Sequence, residues 1–340
     1  MGLSPHVVEM APRLMPIQVD DGGGPEVLRI REVPDPEPQP GQVVVAVAYA
    51  SITFVETQVR SGRGPFSRPG LPRVPGNGVG GRVVAVGSGV DPVLVGTIVV
   101  TTTGGEGGYA ELATARAQDL VPVPEGVALG DAVALLADGH TALWLYRQAN
   151  VHRDEHVLVE AAAGGVGSLL VQLASADGAR VIGAARGAWK AEPVMGLGAA
   201  AVVDYSRPGW LDRVRAVTGG KGLDLVFDGV GGAVGTQAVR ALRDGGRVSV
   251  YGMASGTDAE HDPAELRARS IEVIGLTSAP SPAEARALIA DALEMNAAGT
   301  LRPLIGQTFR LDEAAAAQRA IEARTTLGKT LLTVDNAREG

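Results

Sequence analysis

The chain has 340 residues, no cysteine and a formal net charge of −8, which gives room for about two domains with complete cores. The lack of cysteine excludes disulfides, thiolate zinc sites and a cysteine nucleophile. The acidic balance, with no basic run, argues against nucleic acid and anionic membranes as partners. No apolar run reaches the ~18 residues of a membrane span, and the first residues show no secretory signal. We therefore expect a cytoplasmic protein, and residues 1–12 are left out of the fold argument.

The first ~125 residues have the texture of a β domain. Short segments rich in Val, Ile, Thr and Tyr alternate with Gly and Pro turns, which is typical of strands. One helical patch, at 55–60, interrupts them. The predicted strands are 27–33, 43–50, 82–86, 97–101 and 109–113.

From about residue 128 helices and strands alternate, which predicts a doubly wound parallel sheet of the Rossmann type. The predicted helices are 131–137, 141–150, 166–177, 192–197, 210–217 and 235–242, and the strands are 156–160, 180–184, 201–204, 224–228, 247–251 and 271–276. The tail adds helices at 282–298 and 312–323 and strands at 306–310 and 329–334.

A glycine-rich turn follows the first strand of this second region. An apolar strand at 157–160 leads into Ala162-x-Gly164-x-x-Gly167, and an amphipathic helix begins there. The glycines allow the backbone to approach a pyrophosphate, and the helix N-terminus presents free N–H groups to it. The motif predicts a dinucleotide-binding turn, with Gly165 and Val166 as N–H donors.

The residues after the second strand indicate which dinucleotide is bound. An NAD site places Asp or Glu here to hold the ribose diol, but no carboxylate appears before Glu192. Arg186 and Lys190 stand there instead, and two cations without an anion fit the 2′-phosphate of NADPH.

An ordered set of short motifs resembles the medium-chain dehydrogenase/reductase superfamily, in its zinc-free quinone oxidoreductase branch. The match runs from about residue 15 to 334. The motifs are Gly24-Pro-Glu-Val-Leu28, Arg60-Ser-Gly62, Pro75-Gly76 with Gly81, Gly107-Gly-Tyr-Ala-Glu111, Val121-Pro-Val-Pro124, Ala161 to Gly167, Asp228-Gly-Val-Gly-Gly232, Gly245-Gly-Arg247 and Gly328-Lys329.

This resemblance implies an α/β protein with a GroES-like β domain and an inserted Rossmann doubly wound parallel-sheet domain. We expect residues 13–127 to form the GroES-like substrate domain and residues 128–276 to form the NADPH-binding domain. Residues 277–340 are then expected to return to the first domain.

The zinc positions of the superfamily carry other residues here. Its zinc-dependent members bind the metal with a Cys near Ser51, a Gly-His-Glu around 76–78 and a second Cys. This chain has Ser51-Ile-Thr53 and Gly76-Asn77-Gly78, and neither stretch offers a thiolate, imidazole or carboxylate ligand. We therefore expect no metal site.

The expected site has two walls. Because ligands lie at the carboxyl ends of parallel strands, strand-end residues should line the cofactor, and the resemblance adds Thr141, Tyr205 and Lys329. The expected cofactor residues are Thr141, Gly164, Gly165, Val166, Arg186, Lys190, Tyr205, Val230, Tyr251, Gly252, Met253 and Lys329. The expected substrate wall is Tyr49, Thr53, Phe54, Gln58 and Arg63. Thr53, Gln58 and Tyr49 are the candidate catalytic donors to a developing oxyanion, and His140 is a further candidate proton donor.

The leading functional hypothesis is hydride transfer from NADPH to a quinone or conjugated enone, which can spread the negative charge without a Lewis acid. Quinone reductases commonly carry Asn, Asp and Tyr where this chain has Thr53, Glu56 and Gln58. Two alternatives stay open. The first is an enoyl-thioester reductase, since Arg60, Arg63, Arg68 and Arg73 could meet a pantetheine arm. The second is an NADPH-binding sensor or structural protein without catalysis.

The strand predicted at Ile271–Leu276 is the last of the Rossmann sheet. A last strand exposes unpaired N–H and C=O groups, and only Glu272 guards this apolar one. The resemblance implies that the same strand of a second subunit pairs with it, so we expect a homodimer.

Overall fold

The computed structural model describes residues 13–14, 16–20, 22–63, 70–276 and 279–334. Residues 1–12, which the sequence argument sets aside, lie outside these ranges, as does Arg68. Among the described residues, no helix combines the length and apolarity needed to cross a membrane.

The first part of the chain forms an antiparallel β domain around one long strand. Its elements are β1 (Arg13–Leu14), β2 (Ile17–Val19), β3 (Leu28–Ile30), β4 (Val33–Pro34), β5 (Gln42–Ile52), α1 (Phe54–Ser61), β6 (Gly78–Val86), β7 (Ile98–Thr102), β8 (Leu112–Arg116) and β9 (Val121–Pro122). The 11-residue β5 pairs with both β6 and β8, so it organises the whole sheet.

In the middle of the chain, strands and helices alternate as in a doubly wound fold. Its elements are α2 (Leu129–Ala149), β10 (His156–Glu160), α3 (Gly165–Ala176), β11 (Arg180–Ala185), α4 (Ala191–Gly196), β12 (Ala201–Asp204), α5 (Trp210–Val217), β13 (Leu223–Asp228), α6 (Gly232–Arg240), β14 (Leu242–Val250), α7 (Pro263–Ala268) and β15 (Glu272–Gly275). The parallel sheet has the order β12-β11-β10-β13-β14-β15. The strand order reverses between β10 and β13, which makes the carboxyl ends of these two strands the expected ligand crevice.

The last part of the chain returns to the β domain. It comprises α8 (Pro282–Ala297), β16 (Ile305–Arg310), α9 (Ala314–Glu322) and β17 (Lys329–Thr333). β17 pairs antiparallel with β5, and β16 pairs parallel with β17, so the tail extends the first sheet. A buried apolar cluster joins Val100 and Leu331 of this sheet to Leu135, Val157 and Phe227, so the two domains share one core.

Several predicted boundaries are wrong. The strand predicted at 27–33 is divided into β3 and β4, and the strand predicted at 82–86 begins at Gly78. The helices predicted at 131–137 and 141–150 are one continuous helix, α2. Gly139 lies inside it because α8 packs there: a Cβ at Gly139 would lie 3.0 Å from Ala292 Cβ. α6 begins three residues earlier than predicted, and β14 begins at Leu242 instead of residue 247.

Two further elements differ from the sequence-based expectation. The strand predicted at 109–113 is Leu112–Arg116, because the backbone of Tyr109 bonds to Pro75 and Ile17 and not to β5. The short helix α7 was not predicted. Its N-cap Asp262, which accepts a hydrogen bond from Ala264 N, and Pro263 are the local signals that could have revealed it.

Candidate active site

The glycine turn lies between β10 and α3. Ala161 takes a positive φ of 47°, and Gly164 N donates to Ala161 O at 2.7 Å, which closes the turn. A Cβ at Gly167 would lie 2.3 Å from Ala161 O, so only glycine fits against the strand end. Gly165 and Val166 take the first two helical positions, and α3 has no side-chain N-cap. Their N–H groups therefore belong to a helix N-terminus, which favours an anion.

Cations gather beside the second strand of the sheet. Arg186 directly follows β11, and Tyr205, directly after β12, hydrogen bonds to it. Lys190 is only 9% exposed, and its Nζ lies 4.9 Å from the ring centroid of Trp189. Burial lowers the pKa of Lys190, and the nearby charges of Arg324 and Arg186 lower it further. This cluster fits a phosphate with two negative charges.

Arg324 is a member of this cluster that the sequence analysis missed. It comes from the tail, after α9, with a φ of 60°. Its guanidinium lies 4.2 Å from the ring centroid of Phe54 and donates to Ala254 O. Burial lowers the pKa of Arg324. No local motif marks this residue, and only the fold brings it to residues more than 100 positions away.

Lys329 lies at the glycine turn. Gly328 N donates to Ala163 O at 2.7 Å, so β17 begins against the turn. Lys329 is 4% exposed, and its Nζ lies 3.2 Å from Asp138 Oδ1. The Asp138 carboxylate lies against Gly165, where a Cβ would come within 1.9 Å of Oδ2. The sequence analysis did not single out Asp138, although it is close to the predicted Thr141 on α2.

Thr141 and His140 lie well inside α2 and not at the start of a helix. Thr141 Oγ1 donates to Ala137 O at 2.8 Å. His140 Nδ1 donates a hydrogen bond to Leu136 O at 2.7 Å. That bond leaves only Nε2 of His140 available for other chemistry.

Two more loops border the crevice, one after β13 and one after β14. Val230 and Gly231 form the turn after β13, and Ser255 N donates to Val230 O at 2.8 Å. Tyr251 hydroxyl donates to Glu160 O at 2.6 Å, and its ring covers Gly229, where a Cβ would meet it at 2.4 Å. Burial raises the pKa of Tyr251 well above its usual range. Tyr251 thus supports the floor of the crevice, while Gly252 and Met253 continue along its edge.

The substrate wall begins where β5 ends. Thr53 is the N-cap of α1, and its N–H donates to Glu56 Oε2 at 2.8 Å. Asn77 N and Tyr109 hydroxyl also donate to this carboxyl, at 3.1 and 3.0 Å. Burial raises the pKa of Glu56, although these donors and Lys329 oppose the shift. Glu56 therefore fixes Thr53 in place.

The structure brings some predicted wall residues to the cofactor turn but not all. Thr330 pairs with Ile52, so the next residues along, Thr53 and Lys329, lie at the same end of that ladder. Tyr49 is four residues back along β5, about 13 Å away, and its ring lies near Gly130 at the start of α2. Gln58 is buried in α1, and Arg63 is exposed.

The positions that would bind zinc do not fit a metal. Asn77 Oδ1 accepts from Gly105 N at 2.7 Å, and Ser51 is buried against Gly78. Throughout the part of the chain that the structure describes, no group of three or more His, Cys, Asp or Glu side chains could hold a metal ion. Hydroxyl and amide groups at these positions are poor zinc ligands.

A glycine turn at a helix N-terminus, beside a cationic cluster and a reversal of strand order, defines a dinucleotide-binding oxidoreductase fold. Comparison with known proteins agrees. The model of the alcohol dehydrogenase GroES-like domain matches residues 39–125, and that of the zinc-binding dehydrogenase domain matches residues 165–294.

Whole-chain relatives extend this agreement. The quinone oxidoreductase of Pseudomonas aeruginosa is 35% identical, covering 93% of this chain and 98% of its own. The 2-haloacrylate reductase of a Burkholderia species is 33% identical, covering 91% and 96%. The crystal structure of Escherichia coli quinone oxidoreductase complexed with NADPH superposes with a TM-score of 0.85 at 29% identity, covering 94% and 99%. The chain belongs to the medium-chain dehydrogenase/reductase superfamily, in its zinc-free quinone oxidoreductase branch, and is an oxidoreductase.

Proposed function

We propose that this protein transfers a hydride from NADPH to a quinone or to an alkene conjugated with a carbonyl group. The observation that carries the cofactor assignment is the cluster of Arg186, Lys190, Tyr205 and Arg324 at the end of β11, where an NAD site would have a carboxylate. The NADPH complex of the Escherichia coli enzyme supports the same cofactor.

The residues divide the work of holding this cofactor. The N–H groups of Gly165 and Val166 and the ammonium of Lys329 receive the pyrophosphate, and the cationic cluster receives the 2′-phosphate. NADPH supplies the hydride when bound. The 229–231 turn and the 251–253 segment lie at the switch point, where the ribose and nicotinamide are expected.

The class of hydride acceptor follows from the groups present in the substrate wall. Ser51, Asn77 and Gly78 at the zinc positions are not zinc ligands, so we infer that negative charge on the acceptor is delocalised or met by hydrogen bonds. Of the three candidate donors, Thr53, held by Glu56 near Lys329, is the best placed. Quinones and conjugated enones delocalise this charge themselves. The Burkholderia relative, named for reduction of a haloacrylate, supports an activated alkene as acceptor.

Two observations weigh against the enoyl-thioester alternative. Arg60 is 5% exposed and bonded to Gln318 and Glu322, so it cannot meet a pantetheine arm. Arg73 donates to Gly105 O at 2.6 Å and lies near Glu106. Of the three arginines of this set that the structure describes, Arg63 is the exposed one.

The test is a panel of acceptors with the oxidation of NADPH followed by its near-ultraviolet absorbance. Turnover with quinones or enones, at a rate that EDTA does not change, is the expected result. A preference for enoyl-thioesters would assign the alternative acceptor. Tight NADPH binding without turnover on any acceptor would assign the non-catalytic role.

A further inference from the structure

Two carboxyl groups meet under the cofactor crevice without a cation between them. Glu160 ends β10 and Asp228 ends β13, and these adjacent strands are in register, since Val159 pairs with Phe227. Both side chains are 0% exposed. They sit at the point where the strand order of the sheet reverses.

The two groups converge on a single donor. Val230 N donates to Glu160 Oε2 at 3.2 Å and to Asp228 Oδ1 at 3.1 Å, and Gly231 N donates to the same Asp228 oxygen at 2.7 Å. Glu160 Oε1 and Asp228 Oδ2 are buried without a partner among the described residues. Two buried carboxylates this close repel each other strongly unless one carries a proton.

Among the residues that the structure describes, none that interacts with the Glu160 carboxyl carries a positive charge. Tyr251 hydroxyl donates to the Glu160 carbonyl, and Tyr205, after β12, is close enough to Glu160 to interact with its charge. Burial and the Asp228 charge raise the pKa of Glu160 well above its usual range. A proton on the Glu160 carboxyl removes the repulsion between the two groups.

We propose that Glu160 and Asp228 share one proton, and that this proton holds the 230–231 turn in the conformation that receives the cofactor. Glu160 is then a positioning residue, since it acts through the backbone of the turn. The cofactor contact of Val230 rests on the proposed function, whereas the shared proton rests on the carboxyl pair alone.

The pH dependence has a defined sign. Because folding raises the pKa of Glu160, the stabilisation is complete at low pH and is lost as pH rises through the pKa of the folded state. Loss of the proton sets two negative charges against each other and frees the turn. The Kd of the cofactor should then rise with pH, by at most about tenfold per pH unit for one linked proton.

The experiment measures Kd and Tm of the wild type from about pH 6 to pH 10, a range that includes the pKa values known for buried glutamates. Kd is measured by calorimetry with NADPH and, separately, with NADH. We expect Kd to rise with pH for both cofactors, and Tm of the free protein to fall as pH rises towards the pKa of Glu160 in the folded state. Glu160→Gln, whose amide donates to Asp228 permanently, should flatten both profiles. Asp228→Asn removes the like charge but leaves Glu160 buried, so it should flatten the Kd profile and reduce, without abolishing, the fall in Tm.

Glu155→Gln is the matched control, because Glu155 precedes the same strand at its other end and pairs with Arg247. It should lower Tm and leave the shape of the binding profile unchanged. A rise in Kd with NADPH alone would trace the titration to the 2′-phosphate pocket and overturn the proposal. A wild-type slope retained in Glu160→Gln would overturn it too. A flattened Tm profile with an unchanged Kd profile would leave the proton purely structural and overturn the positioning role. Failure of both cofactors to bind would refute the proposed function, while the Tm arm would still test the shared proton.

Discussion

The cluster proposed to bind the 2′-phosphate contains few side chains. Lys190 is buried and Arg186 is exposed, so the lysine should contribute the larger share of the phosphate interaction. Lys190→Ala should weaken NADPH by about 1.5–3 kcal/mol, the usual range for a hydrogen bond to a charged group. The Kd of NADH should hardly change, because NADH has no 2′-phosphate.

The comparison of NADPH and NADH binding needs a control variant on β11, the strand that leads to this cluster. Arg180→Ala removes an arginine from the amino end of β11, where it is exposed and lies 3.8 Å from Asp154. It should leave both affinities unchanged in calorimetry. Equal loss of both cofactors in Lys190→Ala would contradict the assignment of the 2′-phosphate to this cluster.

Asp138 and Lys329 form a buried ion pair at the place where the pyrophosphate is expected. Asp138→Asn leaves the lysine charge buried and unpaired, which should cost about 3–5 kcal/mol of the free energy of unfolding. The pyrophosphate can replace the missing anion. Saturating NADPH should therefore raise Tm by more in Asp138→Asn than in the wild type, as measured by differential scanning fluorimetry. An equal or smaller rise would show that the pyrophosphate does not contact Lys329.

At the scale of elements, β15 is the exposed edge of the Rossmann sheet. Leu276 N donates inward to Val250 O, and N–H groups alternate in direction along a strand, so Val273 N points outward. Val273 and Leu276 are 45% and 43% exposed. These features support the predicted pairing of this strand with its copy in a second subunit.

Val273→Pro tests that pairing, since proline removes an outward donor and leaves the inner ladder intact. We expect light scattering to show about 69 kDa, twice the 34.7 kDa of the chain, for the wild type and the monomer mass for the variant. Exposed Val93→Ala, far from this edge in the first domain, should leave the mass unchanged. A wild-type monomer at micromolar concentration would refute the homodimer.

The sequence predicts an element well where its structure depends on local residues, and poorly where it depends on packing against a distant segment. The αβ alternation predicts most elements of the Rossmann sheet, because its strands are continuous apolar runs. The continuity of α2 through Gly139 depends on the packing of α8, about 150 residues later. The same distinction holds in the site: the glycine turn and Lys190 lie in motifs, whereas Arg324 and Asp138 reach the crevice only through the tertiary fold.

At the scale of the molecule, the tail is held to the first domain by Arg60. This arginine is 5% exposed and donates to Gln318, to Glu322 and to Gly23 O, the last at 2.7 Å. Arg60→Ala leaves these acceptors without their charged donor and should cost about 3–5 kcal/mol.

Urea unfolding should report this loss as a single shifted transition, because the two domains share one core. Arg319→Ala, exposed on the same helix as Gln318, is the control and should change stability little. Two separate transitions in the Arg60 variant would show that the tail and the first domain fold independently of the Rossmann sheet.

The pairing of β17 with β5 also sets the order in which the molecule can be completed during synthesis. At translation rates of about 5–20 residues per second, β5 waits many seconds for a partner made nearly 280 residues later. The Rossmann sheet needs nothing beyond β15 for its own ladder, so it can close while the first sheet is still open along β5. The nascent chain therefore carries an unpaired stretch of β5 until β17 is made, and Lys329, proposed to meet the pyrophosphate, arrives with that strand.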